Sequence, residues 1–241
     1  MDNALHPASP EALRWLGTGA VVVSLALCLV SVAVVLVEHP LGELRRYLDV
    51  AEEANLPTWW STVLLLVAAL AHGVAGLAAT QARVPAGGAW FVGAAVLAVL
   101  SLAEHTGLHH RLDGIGRQLA GDTALTADWL PLGAVAGLGV VAMLTLLAMR
   151  LRGRAGRLLG AGGAVLLGCA LGGELAVRLL LERGESERVY VLTYHAAELG
   201  ENVGAALLLA AAMSVLTLTR DDTVQRLRYR TEPLVAREAR L

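Results

Sequence analysis

Six apolar stretches dominate this chain, each about as long as the 20 or so residues a helix needs to cross the hydrocarbon core of a bilayer. They run over Trp15–Val37, Thr58–Ala82, Pro85–Ala103, Trp129–Met149, Leu158–Leu181 and a window within Val189–Thr219. The first four contain no Asp, Glu, Lys or Arg. Open sheet cannot cross lipid, because its edge backbone groups would go unsatisfied, and these runs are too long for barrel strands. The expected fold is therefore all-α: a polytopic membrane protein built as a bundle of six transmembrane helices. Two short interfacial amphipathic helices are expected on its outer side, in the loops Glu38–Pro57 and His105–Asp128. In the first of these, Leu41, Leu44, Leu48 and Val50 are expected to face one way and Arg45, Asp49, Glu52 and Glu53 the other. Trp59 and Trp60 open the second span as an interfacial belt.

Arginine sets the expected orientation. All 19 basic residues are Arg, as a GC-rich coding bias would produce. With the N-terminus inside, the cytoplasmic loops hold Arg14, Arg83, Arg150, Arg152, Arg154, Arg157 and the six arginines from Arg220 to Arg240. The opposite side holds Arg45, Arg46, Arg111, Arg117, Arg183 and Arg188. The bias puts both termini in the cytoplasm of a bacterial inner membrane. Residues 1–219 then form one transmembrane domain, and residues 220–241 a basic cytoplasmic tail that rests on anionic headgroups or simply sets orientation. The segment before Trp15 lacks a basic n-region and the first run lacks a cleavage pattern, so that run is expected to be retained as a span. A net charge of −2 argues against nucleic acid as a partner and leaves the lipid bilayer. Cys28 and Cys169 lie inside apolar runs and read as small buried hydrophobes.

Polar groups gather at one end of this layout. Glu104, His105 and His109 close the third span, and His195, Glu198 and Glu201 open the last, with the two sets expected to meet at the outer boundary. His105 and His109 share a helix face if the helix continues, and the second set follows at three-residue steps. Glu174 and Arg178, four apart on the fifth span, are expected to form a buried ion pair. An ionised acid at that depth costs about 2.5–3.5 kcal/mol on insertion scales, which the arginine offsets in part. Histidine and carboxylate together are the ligand chemistry of zinc or non-haem iron. Small-residue repeats at Gly168-x-x-x-Gly172 and Gly200-x-x-x-Gly204 are expected to pack helices closely.

Three stretches carry a family resemblance. Ala54-Asn55-Leu56-Pro57-Thr58-Trp59-Trp60-Ser61 resembles an ANLPTWxS helix start. Ser101 to Glu104 with His109 and His110 resembles an SLDE…HE signature, and Glu198 to Gly204 an ExxExxG one. Together they resemble an uncharacterised family of bacterial six-helix integral membrane proteins. Ala103 and His110 depart from its pattern, since each stands where the family has an acid. The resemblance implies the six-helix layout and no substrate. Ser101, His105 and His109 also echo, more weakly, the superfamily of seven-helix zinc-dependent membrane amide hydrolases.

Four functional readings stand open on the sequence. The first is a membrane protein of unassigned role whose outer Glu/His cluster binds a divalent metal such as zinc or iron. The second is a non-catalytic scaffold or accessory subunit. The third is a zinc-dependent hydrolase of a lipid-borne bond, with Glu198 or Glu201 as general base. The last is an ion or proton transporter using Glu174, Arg178 and His72. No catalytic residue, protein partner or oligomeric state follows from the residues alone.

Overall fold

The computed structural model describes residues 10–37, 42–85, 87–108, 130–151, 153–221 and 224–230. The elements are α1 (Pro10–Leu36), α2 (Glu43–Leu48), α3 (Leu56–Gln81), α4 (Gly87–His105), α5 (Leu130–Arg150), α6 (Gly153–Glu182) and α7 (Glu187–Met213). Two strands follow, β1 (Leu216–Asp221) and β2 (Val224–Tyr229). Five helices, α1, α3, α4, α6 and α7, are long and apolar enough to span a membrane. Aliphatic side chains such as Leu29, Leu70 and Leu102 stand exposed on these helices, as a lipid solvent would require.

The helices α3, α4, α5, α6 and α7 form a ring in that order, α7 closing on α3, with α1 packed outside against α7. The seam between α4 and α5 is the loosest of the ring, and that between α6 and α7 the tightest. Glycine explains the tight seam. A Cβ added at Gly204 would lie 2.5 Å from the Leu166 backbone nitrogen, and one at Gly162 would lie 2.9 Å from the Gly204 carbonyl oxygen. Gly200 meets Cys169 in the same seam. The expected Gly168-x-x-x-Gly172 contact does not form, because nothing lies within 4 Å of a Cβ at either position. Trp90, Leu97, Leu159 and Leu208 are fully buried between the helices.

The first of the two expected short helices is present as α2 (Glu43–Leu48) but turns differently from its expected amphipathic face. Leu44 is exposed while Asp49 is buried. The reason is local hydrogen bonding. Asp49 Oδ1 accepts from Ala51 N–H at 3.0 Å, and the Asp49 carbonyl accepts from the Asn55 amide. Asn55 in turn caps α3, its Oδ1 accepting from Thr58 N–H at 3.1 Å, with Pro57 in the first turn. The stretch expected to hold the second interfacial helix lies almost entirely outside the described residues, as do His109 and His110.

Strands β1 and β2 pair antiparallel, Leu216 opposite Tyr229 and Leu218 opposite Leu227. Part of the stretch expected as a basic tail is thus a folded hairpin. It docks at the end of the bundle where α3 finishes and α4 begins: Leu216 is buried, and Trp90 Nε1–H donates to Tyr229 Oη at 3.2 Å.

Candidate functional site

Opposite the hairpin, the ring opens into a cavity of about 380 Å³. Its wall is mostly apolar, with Leu65, Val99, Leu100, Val140 and Leu167 among the lining side chains. Six acids line it from four chain segments. Glu52 and Glu53 come from the loop after α2, Glu104 from α4, Glu174 from α6, and Glu198 and Glu201 from α7. The tail of α4 and the head of α7 therefore do share a site, although they are some ninety residues apart in the chain. α3 packs against both and supplies Thr58 and Ser61 to the same wall.

The polar contacts are specific. Tyr194 and Glu198, one turn apart on α7, line the same wall. Asn202 Nδ2 donates to Ser61 Oγ at 3.1 Å and to the Glu198 carbonyl at 3.2 Å, tying α7 to α3 beside the acids. The expected ion pair forms: Arg178 Nε donates to Glu174 Oε1 at 2.8 Å, with both side chains partly exposed. Glu201 lies within electrostatic reach of Glu198, Glu104 and Glu174. Among the described residues no basic side chain is paired with Glu104, Glu198 or Glu201. Gly107, just beyond α4, has a φ of 55° that favours glycine. A non-glycine residue is strained at that φ, whereas the Glu53 carboxylate that a Cβ would meet is the end of an exposed, flexible side chain.

The histidines behave differently from the acids. His195 is buried and faces α1, with Nε2 2.8 Å from Ser31 Oγ and Nδ1 2.7 Å from the Val191 carbonyl. Val50 N–H donates to Ser31 Oγ at 3.0 Å, so the loop carrying Glu52 and Glu53 hangs from the same serine. His195 and Glu201 are six residues apart, which at about 100° per residue places them about 120° apart around the helix. A ridge of three-residue steps drifts off any one face. Tyr194, Glu198 and Glu201, at steps of four and three, hold the face that His195 leaves. His105 is exposed and does not line the cavity. Glu52, Glu53, Ser61, Tyr194 and Asn202 join the site beyond the expected residues; for the α7 pair, the signal is the i, i+4 spacing to Glu198.

Among the described residues no three His, Cys, Asp or Glu side chains are arranged to hold a metal ion. Of the expected ligands, Glu104, Glu198 and Glu201 reach the cavity, His105 and His195 do not, and His109 lies outside the described residues.

These features define a class: a multi-pass α-helical membrane protein with an acid-lined, mostly apolar cavity at one end of the bundle. The chain belongs to a family described as a domain of unknown function, DUF8692, whose model matches residues 15–216. That match covers all seven helices apart from the first residues of α1. No curated protein and no solved structure matches the chain.

Proposed function

We propose that this protein is a membrane receptor pocket for an organic cation, an amine with an apolar body, held by Glu104, Glu198 and Glu201. The carrying observation is that these three carboxylates share one mostly apolar cavity with no basic partner among the described residues. Removing unpaired charge from water is costly, so such a site calls for a compensating cation. The cavity volume falls within the range of small-molecule sites, roughly 300–1,000 Å³. An ammonium group asks only for acceptors at hydrogen-bond distance, with apolar contact for the rest of the molecule. In this reading α5 is the sixth spanning helix, the arginine-rich end is cytoplasmic, and the cavity opens on the other side.

The metal and hydrolase readings lose support here, because the two placed histidines are occupied elsewhere or exposed. The scaffold reading keeps one specific observation. His195 is fully engaged between α1, α7 and the Val50 loop, as a packing element would be. The transporter reading would need a polar route past the cavity. His72, the buried polar group below it, instead bonds the Ala68 carbonyl and meets Trp90 edge-on.

The test is ligand-induced stabilisation of protein in nanodiscs, since a ligand at a hundred times its Kd raises stability by about 2.7 kcal/mol. Primary alkylamines are expected to raise the melting temperature, and Glu198→Gln or Glu201→Gln to abolish the rise. No stabilisation by any amine, or equal stabilisation of both variants, refutes the reading. Stabilisation by zinc alone, lost in the same variants, returns the site to metal chemistry.

A further inference from the structure

At the opposite end of the bundle from the cavity, the β1–β2 hairpin has a surface that none of the preceding chemistry uses. Side chains alternate across a strand, so Leu216, Leu218, Leu227 and Tyr229 share one face. The pair nearest the helices, Leu216 and Tyr229, seals the bundle against Trp90. The next pair, Leu218 and Leu227, continues that apolar face but stands 36% and 39% exposed. These two apolar side chains stand directly opposite each other and extend the docked face outward.

Chain connectivity says where that surface lies. α7 ends at Met213 and β1 begins at Leu216. Two linking residues reach at most roughly 10 Å from the end of a spanning helix. The hairpin is therefore held at the level where helices leave the hydrocarbon. Charge says what the partner is. Six exposed arginines stand at this end, Arg83, Arg150, Arg154, Arg157, Arg228 and Arg230. Arg228 and Arg230 flank Tyr229 on the hairpin itself. An apolar pair on one face, with Arg228 on the opposite face at the headgroup level, matches the layered chemistry of an anionic leaflet, acyl chain below and phosphate above.

We propose that the hairpin is a folded foot that lies on the bilayer, inserting Leu218 and Leu227 among the acyl chains and placing Arg228 and Arg230 on anionic phospholipid headgroups. It goes beyond the cavity reading and is independent of it. The occupant is the membrane surface itself; a second copy of the chain is the competing occupant.

The test uses the full chain in nanodiscs of phosphatidylcholine alone or mixed with phosphatidylglycerol, reading amide hydrogen exchange across β1 and β2. Exchange is expected to slow in the anionic discs and to recover by about fivefold for each arginine removed in Arg228→Gln and Arg230→Gln. Leu218→Ser with Leu227→Ser is expected to speed exchange in both lipids, and high salt to erase the difference between them. Retained exchange protection of the Leu216–Tyr229 pair monitors whether each variant keeps the hairpin docked. Equal exchange in the two lipids, a lipid effect that survives both arginine changes, or protection that tracks the number of protein copies per disc overturns the proposal.

Discussion

Replacing Ser31 with alanine tests most directly whether His195 is a structural group. Ser31 is buried, and its oxygen meets His195 Nε2 at 2.8 Å and Val50 N at 3.0 Å. His195 Nδ1 faces a carbonyl at 2.7 Å, so that nitrogen carries a proton. In the neutral ring Nε2 then accepts from the serine hydroxyl, which itself accepts from Val50 N–H. Alanine leaves both the ring nitrogen and the amide without a partner. A buried group orphaned in this way costs about 1–3 kcal/mol. The amide lies at a less buried position, so the pair amounts to about 2–4 kcal/mol. For a chain of this length each kcal/mol moves the melting temperature by about 2–4 °C, which gives a fall of roughly 4–16 °C. Melting in detergent, followed by tryptophan fluorescence, reads this directly. His195→Leu with Ser31→Ala is expected to cost less than the sum of the single changes, because their shared hydrogen bond is lost only once. A Ser31→Ala protein that melts within about 2 °C of the parent, about 0.5–1 kcal/mol, refutes the argument.

Two further outcomes follow from the packing. Gly204→Ala is expected to destabilise by about 1–3 kcal/mol, because the new methyl meets Leu166 backbone that cannot give way, whereas Gly168→Ala is expected to be neutral or stabilising; melting of the two variants side by side checks the sign. Asn55→Ala removes the α3 cap and the amide that holds the Asp49 carbonyl, so a loss of about 1–2 kcal/mol is expected, with faster hydrogen exchange confined at first to the Val50–Glu53 loop at the cavity mouth.

Spanning helices are legible in a chain like this because lipid leaves the backbone one way to satisfy itself across so long an apolar run. The Glu174–Arg178 pair was legible for a similar reason, since four residues on a helix bring two side chains together whatever surrounds them. The convergence of Glu104 with Glu198 and Glu201 could be read as well, from helix ends counted to one side of a membrane. His195 could not. Whether it turned to the cavity or to α1 depended on a serine 164 residues away in the chain. The glycine repeats show the same divide: Gly200 and Gly204 meet α6, while Gly168 and Gly172, with the same spacing, meet nothing.

What the residues determine alone is the part of the fold that short-range physics decides: where the long apolar runs lie, where arginine gathers, and where acids break the apolar pattern. The hairpin escaped that reading because strand pairing joins residues across a turn and stands on the docking of Tyr229 against Trp90, a contact 139 residues apart. Only the packed ring decided that acids from four segments would share one cavity while the histidines left it. A helix face has no inward side until its neighbours have arrived.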